Sequence, residues 1–115
     1  LFYPDRGVSP KGSFIDLFEK SIAFEKPPFD NFPCLGMGHD VIEKGGTMPA
    51  VFHGADTTAV RAFMDKKIKF TDIPIIIQNT MDAHDIVNDP DLAAILESEK
   101  WAEEYAKTLV GQNNW

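Results

Sequence analysis

A single cysteine, Cys34, in 115 residues excludes an internal disulfide and any zinc site built mainly from thiolates, so a reducing compartment is expected. Cations are also scarce. Eleven Lys and Arg against 18 Asp and Glu leave a formal net charge of -7, and that sign repels nucleic acid and anionic lipid unless basic residues gather locally. They gather once, at Lys66, Lys67 and Lys69, after a helical segment whose negative end suits cations. A solvated helix end is expected there rather than a phosphate site. Long apolar runs are missing as well: none approaches the roughly 20 residues that span a bilayer. Neither nucleic acid nor membrane is therefore an expected partner. A chain this short supports one modest core. It opens with Leu1 rather than Met, and a processed product, a fragment or an expressed subdomain is expected.

What is present divides the chain unevenly. Pro4, Pro10, Pro27, Pro28 and Pro33 interrupt the first third, because proline lacks a donor and restricts its predecessor. Residues 1–31 read as an extended arm. Phe14, Leu17, Phe18, Ile22 and Phe24 make this arm too apolar for a free linker. Those side chains are expected to lie against this domain's own helices or against a missing neighbour.

Residues 32–111 carry helical signals in four blocks. The first follows a cap candidate among Asp30, Asn31 and Phe32, has Pro33 in its opening turn, and shows an apolar face of Leu35, Met37, Val41 and Ile42. Cys34 falls in that turn and is expected to be buried rather than reactive. Gly45 and Gly46 close the block. The second starts near Thr47, with Phe52, Ala55, Ala59, Val60 and Phe63 on one predicted face. Its small residues Gly54, Ala55 and Ala59 admit another backbone and predict a central position. In the third, Thr71 or Asp72 caps a face of Ile73, Ile76, Ile77, Thr80, Met81 and His84. The run of isoleucines would also suit a short strand, but Pro74 fits an opening helical turn. The fourth has Pro90 at its first position and Asp91 beside it, a stripe of Leu92, Ile95, Leu96, Ala102, Ala106 and Leu109, a surface pair of Glu103 and Lys107, and Gly111 as terminator. Residues 112–115 are a tail. An all-α fold, a small bundle of about four helices behind a proline-rich apolar arm, is the predicted class.

Few side chains carry an independent chemical signal. Gly36 and Gly38 lack the preceding strand and the spacing of a dinucleotide loop. His53 and Asp56, three apart on a helix, are expected to form a structural or interdomain hydrogen-bond pair, since a metal would need further ligands and only His39 and His84 remain. Asp82, His84 and Asp85 do not share a helical face. The serines have no nucleophile-elbow setting.

Several segments, taken in order, resemble 1-deoxy-D-xylulose 5-phosphate reductoisomerase. They are YPDR at 3–6, FIDLFEKSIAFEKP at 14–27, FPCLGMGHDVIEKGGTMPAV at 32–51, FHGADTTAVRAFMDKKIKFTD at 52–72 and DPDLAAILESEKWAEE at 89–104. The resemblance implies a linker and C-terminal helical domain of an NADPH-dependent enzyme of non-mevalonate isoprenoid synthesis. It implies a homodimeric parent, cytoplasmic or in a plastid-type organelle, whose N-terminal domain binds NADPH and whose central domain holds Mg or Mn and the substrate phosphate. None of those segments is represented, so the resemblance assigns no catalytic, cofactor or metal residue to this chain. Where the family has Leu-Asn-Ala-Ala-Asn-Glu, this sequence has Phe52, His53, Gly54, Ala55, Asp56 and Thr57. By resemblance, His53, Asp56 and Thr57 occupy a polar seam that supports the catalytic domain. The expected role is a supporting domain without catalysis of its own. A free-standing helical interaction module or a divergent inactive paralogue is the alternative.

Overall fold

Two consecutive glycines with positive φ, Gly45 at 63° and Gly46 at 55°, turn the chain between its first two helices, a conformation that costs glycine little. In the computed structural model, which describes residues 7, 18 and 21–112, four α-helices follow in order. They are α1 (Pro33–Lys44), α2 (Met48–Met64), α3 (Ile73–Asp82) and α4 (Leu92–Gln112), with a single 3-10 turn at Phe70–Asp72 leading into α3. Among the described residues there is no strand, so the isoleucine run is helical. None of the described helices is long and apolar enough to cross a membrane.

α2 touches all three other helices and packs most extensively on α4. Its central position follows from its small residues: a Cβ on Gly54 would stand 2.6 Å from the Glu99 carbonyl oxygen and 3.2 Å from the Ala102 Cβ. Only glycine permits that approach. Val51, Ala55 and Ala59 from α2, Ile76 and Ile77 from α3, and Ala102 and Ala106 from α4 are all fully buried around this seam. Met37 and Val41 cover it from α1.

The α3 face is buried as its period predicts, through Ile73, Ile76, Ile77, Thr80 and Met81, but the helix stops at Asp82 and His84 lies in the turn beyond. Elsewhere the packing differs from the predicted stripes. On α1, Leu35 and Ile42 face outward, because α1 covers only one edge of the bundle. On α2 the buried face is rotated toward Val51, Gly54 and Ala62, leaving Val60 and Phe63 exposed. On α4, Leu92 and Leu96 are 70% and 55% exposed while Ser98 is buried. In each case how closely a neighbouring helix approaches, rather than side-chain hydrophobicity, decides what is covered.

Three termini also depart from expectation. Phe32 occupies the α1 cap with no side-chain hydrogen bond, and a backbone turn from Pro28 to Phe32 leads in instead. α4 begins after Pro90, where the Asp91 carboxylate accepts from the Ala94 N–H at 2.8 Å, so Asp91 is the side-chain cap. Gly111 does not end α4, which runs through Gln112. α2 closes without glycine. Lys66 takes φ 58°, the Lys66 N–H donates to Phe63 O and the Lys67 N–H to Ala62 O, both at 2.9 Å, the paired bonds of a Schellman ending.

In the arm, Phe14 and Leu17 lie outside the described residues. Phe18, Ile22 and Phe24 are exposed, Phe24 at 91%, rather than bedded on the helices. Phe29 does reach the bundle, meeting the His39 ring edge-on at 6.3 Å.

Candidate functional site

The polar row on α2 lies off the small-residue seam, with His53 and Thr57 exposed and Asp56 half-buried. His53 stands exposed there, and its Nε2 lies 3.5 Å from Glu99 Oε1 on α4. The partner expected from sequence was Asp56; Glu99 answers instead because Gly54 brings the two backbones together at this level. His53 and Glu99 form a partly solvated contact of small energetic weight.

Asp56 and Thr57 open on the other side, into a groove of about 1190 Å³ between the C-terminal halves of α2 and α4. Three cations, Arg61, Lys67 and Lys107, line it with three carboxylates, Asp56, Asp65 and Glu103. This balance gives no net field to select a phosphate or a cation. Two pairs within it are already formed, Lys67 with Asp65 and Lys107 with Glu103, each at 3.6 Å. The latter is the expected surface pair. The structure thus brings Asp56 and Thr57 together and sets His53 apart, while Arg61 and Glu99, not singled out by sequence, complete the two polar patches. Arg61 sits four residues after Thr57 on α2, a helical spacing readable in advance, whereas Glu99 comes from α4 and had no such signal.

On the α1 side of α2, Cys34 is half-buried. Burial pushes its thiol up, and the nearby Asp56 carboxylate adds to this, against a smaller lowering from a backbone hydrogen bond. The thiol form is favoured at neutral pH. His84 is half-buried against Trp101, with ring centres 5.1 Å apart, and joins neither Asp82, which accepts from Gln78 at 2.8 Å, nor a catalytic group. Among the described residues no three His, Cys, Asp or Glu side chains converge as metal ligands. Among the described residues ahead of α1 there is no strand of the kind that leads into a dinucleotide loop.

Comparison with known proteins gives this architecture a context. The profile of the DXP reductoisomerase C-terminal domain matches residues 1–105. The 1-deoxy-D-xylulose 5-phosphate reductoisomerases of Halothermothrix orenii and Acetivibrio thermocellus are each 40% identical to the chain, over 97% and 96% of its length. The reductoisomerase of Zymomonas mobilis, solved in complex with NADPH, superposes with a TM-score of 0.79 at 32% identity over 94% of the chain. In all three the chain spans only 29% of the relative's own length. The bundle built on the Gly54 seam belongs to the DXP reductoisomerase C-terminal domain family.

Proposed function

We propose that this segment is the supporting C-terminal domain of an NADPH-dependent 1-deoxy-D-xylulose 5-phosphate reductoisomerase of the non-mevalonate isoprenoid route. The observation that carries the reading is the match along nearly the whole chain to enzymes of which it spans less than a third. In this role residues 1–31 are the linker, residues 32–111 are the bundle, and the domain contributes by position rather than by proton or hydride transfer. The NADPH-binding and metal-holding parts, with Mg or Mn, belong to the remaining polypeptide, which acts as a homodimer.

Exposed apolar side chains support it. Ile42, Leu92 and Leu96 on the helices, and Ile22 and Phe24 on the arm, contribute little to the bundle's own core, and a neighbouring domain would cover such surface. The polar row of His53, Asp56 and Thr57 then faces the catalytic domain as a hydrogen-bonding seam.

Fusing the chain behind the N-terminal and central domains of the Halothermothrix orenii relative tests this reading. NADPH oxidation with 1-deoxy-D-xylulose 5-phosphate is the expected result. A folded fusion that consumes no NADPH, beside an active parent enzyme, would overturn it.

A further inference from the structure

Thr47 is fully buried at the start of α2 and serves as a junction for the 83–91 loop that links α3 to α4. Its backbone N–H donates to Val87 O at 3.2 Å, and its Oγ1 accepts from the Val87 N–H at 3.1 Å. The same Oγ1 lies 2.7 Å from His84 Nε2. Gly46 makes room for the loop, since a Cβ there would stand 2.5 Å from Val87 O. The loop is therefore held by three hydrogen bonds to one residue.

A hydroxyl has one proton to give and two lone pairs. One lone pair of Thr47 is taken by Val87, and among the described residues His84 Nε2 is the acceptor within reach of its proton. With Nε2 as that acceptor, the imidazole is neutral and carries its proton on Nδ1. We propose that Thr47, His84 and Val87 form a proton-operated clasp, closed by neutral His84 and loosened when Nε2 becomes a donor and leaves the buried Thr47 hydroxyl proton without an acceptor.

The surroundings bear on the titration from each side. Asp85 on the same loop and Glu97 on α4 are the titratable groups lining the small pocket of about 330 Å³ beside His84; α4 also supplies the Trp101 ring, and the uncharged Thr47 meets His84 from the cap of α2. Desolvation by burial lowers the His84 pKa, with Asp85 opposing. A folded-state value below the ordinary imidazole value of about 6.5 means that the unfolded chain takes up the proton first. The stabilisation is then complete above about pH 6.5 and is lost as pH falls through the folded-state value.

The test uses the chain as it is. Ring-nitrogen NMR of His84 at about pH 8 is expected to show the Nδ1–H tautomer. Hydrogen exchange at the Val87 amide, corrected for its intrinsic rate, is expected to lose about tenfold protection between about pH 8 and about pH 5. Thr47→Ser should keep this dependence, and Thr47→Val should abolish it at a low, constant protection. A neutral His84 protonated on Nε2, or Val87 protection that is flat with pH in the unaltered chain, would each overturn the proposal even where Thr47→Val fails to fold. So would a folded Thr47→Val protein that keeps the original pH profile.

Discussion

The two flanks of α2 treat side chains in opposite ways. On one, Gly54, Ala55, Ala59 and Ala62 are buried, although each offers little or no apolar area. On the other, Val60, Phe63 and Met64 are exposed, Met64 at 71%, although each would gain more from burial. The difference shows that this bundle is organised by how closely its axes approach. Small residues let α4 come within backbone contact, and the dispersion gained along that seam replaces what larger side chains would bring. Of the larger side chains, Phe63 meets the Phe70 ring edge-on at 5.6 Å, while Val60 and Met64 stay exposed.

The sharpest way to break the contrast is to fill the inner flank. Gly54→Val places a branched side chain against the Glu99 carbonyl, a backbone atom that cannot swing aside, and should cost about 3 kcal/mol or more; an unchanged urea midpoint would refute the close seam. A matched pair of truncations comes next. Val51→Ala, on the fully buried side, should lose about 2 kcal/mol from transfer and cavity terms. At the point where both flanks end, Lys66→Gly should relieve the left-handed backbone and raise stability by about 0.5–1 kcal/mol, visible as a higher thermal midpoint. The smallest change is expected from Val60→Ala on the outer flank, within about 0.5 kcal/mol by denaturant titration. Equal losses from Val51→Ala and Val60→Ala would erase the distinction between the flanks.

Much of this organisation is legible from residues alone. The glycine pair after α1, the near-continuous period of α3 and the small residues marking α2 as central all act locally, through backbone freedom or spacing. The rotated face of α2 was not legible in that way. Apolar periodicity assigns weight to Val60 and Phe63, whereas the approach of α4 depends on the missing Cβ of Gly54 and on Ala102 far along the chain. Leu92 and Leu96 misled for the same reason. In the polar sites, His53, Asp56 and Thr57 stood out against the family pattern, but the pairing of His53 with Glu99 is set by tertiary approach. The Thr47 junction likewise joins distant segments, and only the helix start at Thr47 foreshadowed it.

Cys34 gives this fold an internal clock. Its thiol is half-buried at the edge where α1 meets α2 and is held in the less nucleophilic protonated form, so an alkylating reagent reacts fastest during moments when α1 lifts away. With no second cysteine to confuse the signal, the mass added over time counts those excursions. Docking a neighbouring domain over α1 would slow that count, turning one modest side chain into a gauge of assembly.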